Sequence, residues 1–138
     1  MTLQLSEAAT TTAGVLLLSL LAVEWGGSFL LRVAQDDVEA TDLQRRFYRA
    51  GHAHAGVLVT LGLVTVLFTE ASGLTGTLAQ VARSGVPVAA ILMSAGFFLA
   101  AGGRGRTRAR PAGLVLVALG ALALAAGAGT LGVALLVA

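Results

Sequence analysis

The sequence predicts an all-α fold, an integral membrane four-helix bundle in antiparallel up-down order. Three observations predict it. Hydrophobic residues make up 57% of the chain and charged residues 12%, against roughly 25% charged in an average soluble domain. The mean hydropathy is +0.88. Four separate stretches reach the ~20 apolar residues that a helix needs to cross a bilayer. None of them alternates polar and apolar residues, which excludes the strands of a membrane barrel.

All 138 residues read as one transmembrane domain. The opening segment, MTLQLSEAATTT, carries Glu7, no basic residue and no persuasive cleavage site, so a secretory signal is not expected. The first span covers 13–31, AGVLLLSLLAVEWGGSFLL. A polar connection, RVAQDDVEATDLQRRFYR, occupies 32–49 and leads into the second span at 50–69. The next connection is mild, and Leu74, Leu78 and Val81 are spaced as one face of a short surface helix. The third span covers 85–102. The 103–111 connection contains GRGRTRAR and ends in Pro111, a residue suited to the first position of a helix. The fourth span covers 112–138. Gly113, Gly120 and Gly127 recur there every seven residues on one face, where small residues let helices approach closely. This stripe reads as packing within the chain in preference to an oligomer seam.

All nine basic residues are arginine, and lysine is absent. Arg32, Arg45, Arg46 and Arg49 lie in the first connection, Arg104, Arg106, Arg108 and Arg110 in the third, and Arg83 alone in the second. The positive-inside rule then places the first and third connections in the cytoplasm and both termini outside. GRGRTRAR is expected to fix that topology beside anionic headgroups and has no expected catalytic role. Arginines confined to short loops do not point to nucleic acid, even with a pI near 10.5. The absence of cysteine excludes disulfides, iron–sulfur clusters and c-type haem attachment.

Ionisable residues inside a span are costly and mark candidate sites. Three qualify: Glu24, His52 and His54. Glu24 lies about 12 Å from the end of the first span, and His54 about 7 Å into the second, at 1.5 Å rise per residue. A Glu24–histidine contact is therefore within reach. Glu24 reads equally as a neutral carboxyl hydrogen-bonded to Ser28 and as a proton acceptor or orienting partner. Trp25 beside it reads as packing or interface anchoring.

Residues two apart on a helix point about 200° from each other, so His52 and His54 do not chelate one metal as an i, i+4 pair does. Small neighbours (Ala50, Gly51, Ala53, Ala55, Gly56) leave room for a flat, large group. Haem needs one axial imidazole and apolar walls. Its propionates suit Arg45, Arg46 or Arg49. The plainer alternative is a pair of neutral histidines hydrogen-bonded to carbonyls at the helix entrance.

The four-span layout, the polar first connection and the string Ala53-His54-Ala55-Gly56 together resemble the styrene oxide isomerase family and its hydroxylaminobenzene mutase relatives. The resemblance implies haem b held near the subunit interfaces of a homotrimer, with His54 as axial ligand. His52, an alternative ligand, falls where the family string has arginine. Gly96-Phe97-Phe98 is similar to the family's Gly-Phe-Tyr string, with Phe98 in place of tyrosine. Thr60 stands where the family has asparagine. The implied reaction is Lewis-acid rearrangement of a small apolar aryl epoxide to an aldehyde, with the substrate arriving from lipid. Phe97 and Phe98 would wall the substrate pocket. Thr60, Tyr48 or Glu24 would supply the missing polar groups, and Gly56 would lie beside the cofactor.

Three other functions remain open. One is a haem-binding cytochrome or sensor without isomerase activity. Another is a transport or proton-relay subunit using Glu24 and the histidines. The last is a purely structural membrane subunit.

Overall fold

The computed structural model describes residues 4–137. Residues 1–3 of the opening segment and Ala138, the end of the fourth predicted span, lie outside the described residues. The fold is all-helical. The described residues form four helices: α1 (Glu7–Ala34), α2 (Asp42–Ala71), α3 (Gly76–Ala101) and α4 (Pro111–Val137). Each is long and apolar enough to cross a membrane.

α1 and α2 begin ahead of their predicted spans because local capping, and not hydropathy alone, sets where they start. α1 begins six residues early (13 − 7), where the Ser6 hydroxyl accepts the Ala9 amide. α2 begins eight residues early (50 − 42). Thr41 and Gln44 form a capping box there, each side chain accepting the other's backbone amide. The expected short surface helix around Leu74, Leu78 and Val81 is not a separate element. Leu74 lies in the turn, and 76–84 are the first turns of α3, which continues through Gly85 and Pro87 without a break. The Pro87 ring and the Leu16 side chain converge on Gly62 of α2. A Cβ on Gly62 would stand 3.2 Å from Leu16 and 3.5 Å from Pro87.

The extensive helix contacts run in chain order: α1 on α2, α2 on α3, α3 on α4. The apolar core joins Leu16 of α1, Leu58, Val59 and Val66 of α2, and Val86, Ala89, Ala90 and Met93 of α3. The α3–α4 seam is the tightest. A Cβ on Gly127 would lie 2.7 Å from the Gly85 Cα, and one on Gly96 would lie 2.7 Å from the Gly113 carbonyl oxygen. Gly113 and Gly120 likewise press against Ala100 and Met93. The seven-residue glycine stripe is thus buried within the chain.

Polar clasps close both ends. At the end bearing most of the arginines, buried Gln44 donates to the carbonyls of Ala101 (3.0 Å) and Gly103 (2.6 Å). The Thr41 hydroxyl donates to the Arg106 carbonyl. At the opposite end, Glu70 accepts the Ser6 amide at 2.7 Å and pairs with Arg83 at 2.7 Å, with both side chains largely buried. The Glu70–Ser6 contact matters most for α1, of which only Ala9, Leu16 and Val33 are buried among the described residues.

The seam sets a direct test. Gly127→Ala should destabilise the protein by about 1–3 kcal/mol, because the added methyl has no space without backbone movement. Gly129→Ala, two residues on with nothing within 4 Å of the new Cβ, should be neutral or slightly stabilising. Thermal unfolding in detergent reads both, and equal melting temperatures would refute the seam.

Candidate functional site

α2 carries the candidate site. The extra N-terminal turns place His52 and His54 ten and twelve residues beyond Asp42, almost three turns or more inside the helix. Arg46, Arg49, Ala53, Val57, Thr60 and Val64 form an exposed stripe along α2. The two histidines, both half-buried, flank that stripe on opposite sides.

His54 faces α3. Its ring lies 4.9 Å from that of Phe97, which also meets Phe47 edge-on at 5.7 Å. His54 Nδ1 is 2.7 Å from the Ala50 carbonyl oxygen, one turn back on the same helix. A carbonyl only accepts, so Nδ1 carries a proton, and in the neutral ring Nε2 keeps its lone pair. Among the described residues, Nε2 has no hydrogen-bond partner. A carbonyl-anchored imidazole with a free second nitrogen is the donor arrangement of a metal-ligating histidine.

His52 faces α1. A Cβ on Gly27 would stand 3.6 Å from its Cε1, and one on Gly26 would stand 3.8 Å from its Nδ1. Gly26 and Gly27 of α1 thus leave open the space where the His52 ring lies. Further along the same flank, Leu20, Val23 and Glu24 of α1 and Gly56, Thr60 and Val64 of α2 line a groove of about 630 Å³. Gly56 therefore opens toward α1 and not toward His54.

The other candidates divide in the same way. Glu24 is exposed, and among the described residues it makes no hydrogen bond or ion pair, so the expected Glu24–histidine contact does not form. Nor does Ser28 hold Glu24, because its hydroxyl donates instead to the Trp25 carbonyl at 2.6 Å. The Thr60 hydroxyl turns back on the Gly56 carbonyl at 2.9 Å, as hydroxyls inside helices commonly do. Tyr48 stacks on Phe98 at 5.6 Å and meets Phe29 edge-on at 5.3 Å. It lines an open cleft of about 710 Å³ at the arginine-bearing end with Phe29, Gln44, Glu39 and Arg104. Phe98 packs over Gly51, where a Cβ would be 2.9 Å from its ring. The small size of Gly51 is thus used by Phe98, and only Phe97 of the phenylalanine pair stands beside His54.

The three arginines near the histidines also separate. Arg45 ties α1 to α2: it donates to the Val33 carbonyl (2.8 Å) and the Ala40 carbonyl (3.2 Å) and pairs with Asp36 at 2.5 Å. Asp36, just past the C-cap Gln35 of α1, sits in the left-handed region at φ 61°. Arg46 and Arg49 are exposed and make no hydrogen bond or ion pair among the described residues.

Sequence reasoning missed Gln44 and Ser94. The Thr41-x-x-Gln44 pattern is a capping-box signature and could have signalled the former. Ser94, a lone hydroxyl in an apolar run of α3, has a buried Oγ with no partner among the described residues. Comparison with protein families, with curated proteins and with solved structures finds no match to this chain.

Arg45→Gln should release the arginine-bearing end of α1. Amide exchange over 31–36 should quicken several-fold while the α3–α4 seam holds its protection. Unchanged exchange would mean that Arg45 does not anchor α1.

Proposed function

We propose that this chain is an integral, multi-pass membrane protein that binds haem b at His54. The opposed pairs Gly85–Gly127 and Gly113–Ala100, with Gly51–Phe98 and Gly62–Pro87, support an antiparallel up-down bundle. The arginine distribution supports cytoplasmic first and third connections, with the termini outside.

The single observation that carries the haem reading is the His54 imidazole. Its Nδ1 is anchored on the Ala50 carbonyl, its Nε2 is free, and it is half-buried beside Phe97. The surrounding residues fit the group. Ala50 and Ala53 keep the adjoining surface of α2 flat, Phe97 and Phe47 supply an aromatic wall, and Arg46 and Arg49 lie on the same stripe with guanidinium groups free for propionates. Arg45, committed to the end of α1, is set aside from that role. His52, on the far flank, is the alternative ligand only for a separate group. His54 stands at the edge of an outward face, so a second copy of the chain would complete the wall, in keeping with a homo-oligomer and the trimer that the family resemblance implies.

The proposed activity is isomerisation of a small apolar aryl epoxide to an aldehyde. When bound, haem iron supplies Lewis-acid activation of the epoxide oxygen without net redox change. Phe97 and Phe47 hold the aromatic guest by edge and face contacts. No proton donor from the chain is required for a hydride shift within the substrate, which suits a flank on which none of Thr60, Glu24 and Tyr48 lies. That same lack of polar side chains favours, as the second reading, a haem-binding cytochrome or sensor without isomerase activity.

An optical spectrum of the purified protein with added haem decides the binding claim. A Soret band should appear in the wild type and in His52→Ala and should be lost in His54→Ala. A band retained in His54→Ala would refute the assignment. With the band present, aryl epoxide should be converted to aldehyde at a rate that falls at least about a hundredfold in His54→Ala, as when a catalytic group acting by electrostatic stabilisation is removed. A haem-loaded protein that leaves the epoxide unchanged would select the cytochrome or sensor reading.

A further inference from the structure

The α1–α2 groove lies on the flank of α2 that the haem site does not use. Its walls are Leu20, Val23 and Val64, its floor is Gly56, and its polar groups are the Thr60 hydroxyl and the Glu24 carboxyl. Thr60 is already engaged by its own helix. Glu24 is not engaged, and it is the only acidic residue within the four predicted spans. Among the described residues no cation pairs with it. Lysine is absent, eight of the nine arginines lie in the connections or end turns at the arginine-bearing end, and the ninth, Arg83, pairs with Glu70 at the opposite end. The His52 ring packs against Gly26 and Gly27 and does not line the groove.

A carboxyl exposed at the edge of an apolar groove, with no hydrogen bond or ion pair among the described residues, is costly within a bilayer. A cation soluble in lipid would supply the missing partner. Its size is bounded by the groove, whose volume of about 630 Å³ falls in the range of small-molecule sites, roughly 300–1,000 Å³. We propose that the α1–α2 groove binds a lipophilic monovalent cation, an organic ammonium or phosphonium, with Glu24 as its counter-charge. The apolar body lies on Leu20, Val23 and Val64, and the smallness of Gly56 gives it depth. This inference uses the membrane reading but not the haem site.

Tetraphenylphosphonium is the probe, and tetraphenylborate, of the same shape and opposite charge, is the control. Equilibrium dialysis of the full chain in detergent micelles, corrected against empty micelles, measures binding. Trp25, the only tryptophan, adjoins Glu24 and reports occupancy by its fluorescence. The cation should bind saturably and the anion should not. Glu24→Gln should weaken binding about tenfold or more, the usual consequence of removing one partner of a desolvated charge pair. Glu24→Asp should retain most of it. Gly56→Leu fills the floor while leaving the carboxyl in place and should produce the same loss, which keeps the test open if Glu24→Gln does not fold. Binding unchanged in both Glu24→Gln and Gly56→Leu, equal binding of the anion, or a flat titration of the wild type would overturn the proposal. Recovery of the chain in the aqueous fraction, away from membranes, would instead overturn the membrane reading on which it rests.

Discussion

The α3–α4 seam is the constraint on which the rest of the architecture depends. Glycines at positions 85, 96, 113, 120 and 127 let two helix backbones meet with almost nothing between them. In a bilayer, apolar side chains would gain little by leaving lipid, so close backbone packing would be the main attraction available to such helices. The seam fixes α3, α3 presents Val86, Ala89, Ala90 and Met93 to the core shared with α2, and α2 in turn receives α1. Along that series the glue changes from backbone packing to polar clasps. α1, the outermost member, is held by Glu70 at one end and Arg45 at the other.

This order gives α2 two unlike flanks. Toward α3 it meets a close-packed, aromatic surface, and His54 sits there with its Nδ1 committed to the Ala50 carbonyl. Toward α1 it meets a looser surface, opened by Gly26, Gly27 and Gly56, and His52 and the Glu24 groove lie there. The 3.6-residue period assigns one histidine to each flank. A single two-residue spacing thus separates a ligand-like imidazole from a cleft with a lone carboxyl. The two proposed sites need not act on the same molecule.

Much of this was legible in the sequence where hydropathy or helical period carried the signal. Four helices, the seven-residue glycine stripe and the opposite aim of the two histidines all follow from those rules. The losses came where a short-range polar contact decided the outcome. α2 starts at Asp42 because Thr41 and Gln44 cap each other, a signal that a hydropathy count passes over. Arg45, Arg46 and Arg49 look equivalent in sequence, yet the turn at Asp36 draws only Arg45 into the fold. Gly51 and Gly56 both read as space for a cofactor. Gly51 is filled by Phe98 and Gly56 faces the groove, because which neighbour a small residue meets depends on the partner helix. Glu24 and Thr60 line the α1–α2 groove and Tyr48 lies toward the arginine-bearing end, so helical rotation and depth keep all three off the His54 flank.

The central claim is that one histidine, on one flank, is the iron ligand. Nitrogen NMR of histidine-labelled protein titrated with zinc protoporphyrin IX tests it most directly. The account predicts that His54 is protonated on Nδ1 before addition, that its Nε2 resonance moves on addition, and that His52 stays where it was. Movement of His52 in place of His54, or of neither, would contradict it.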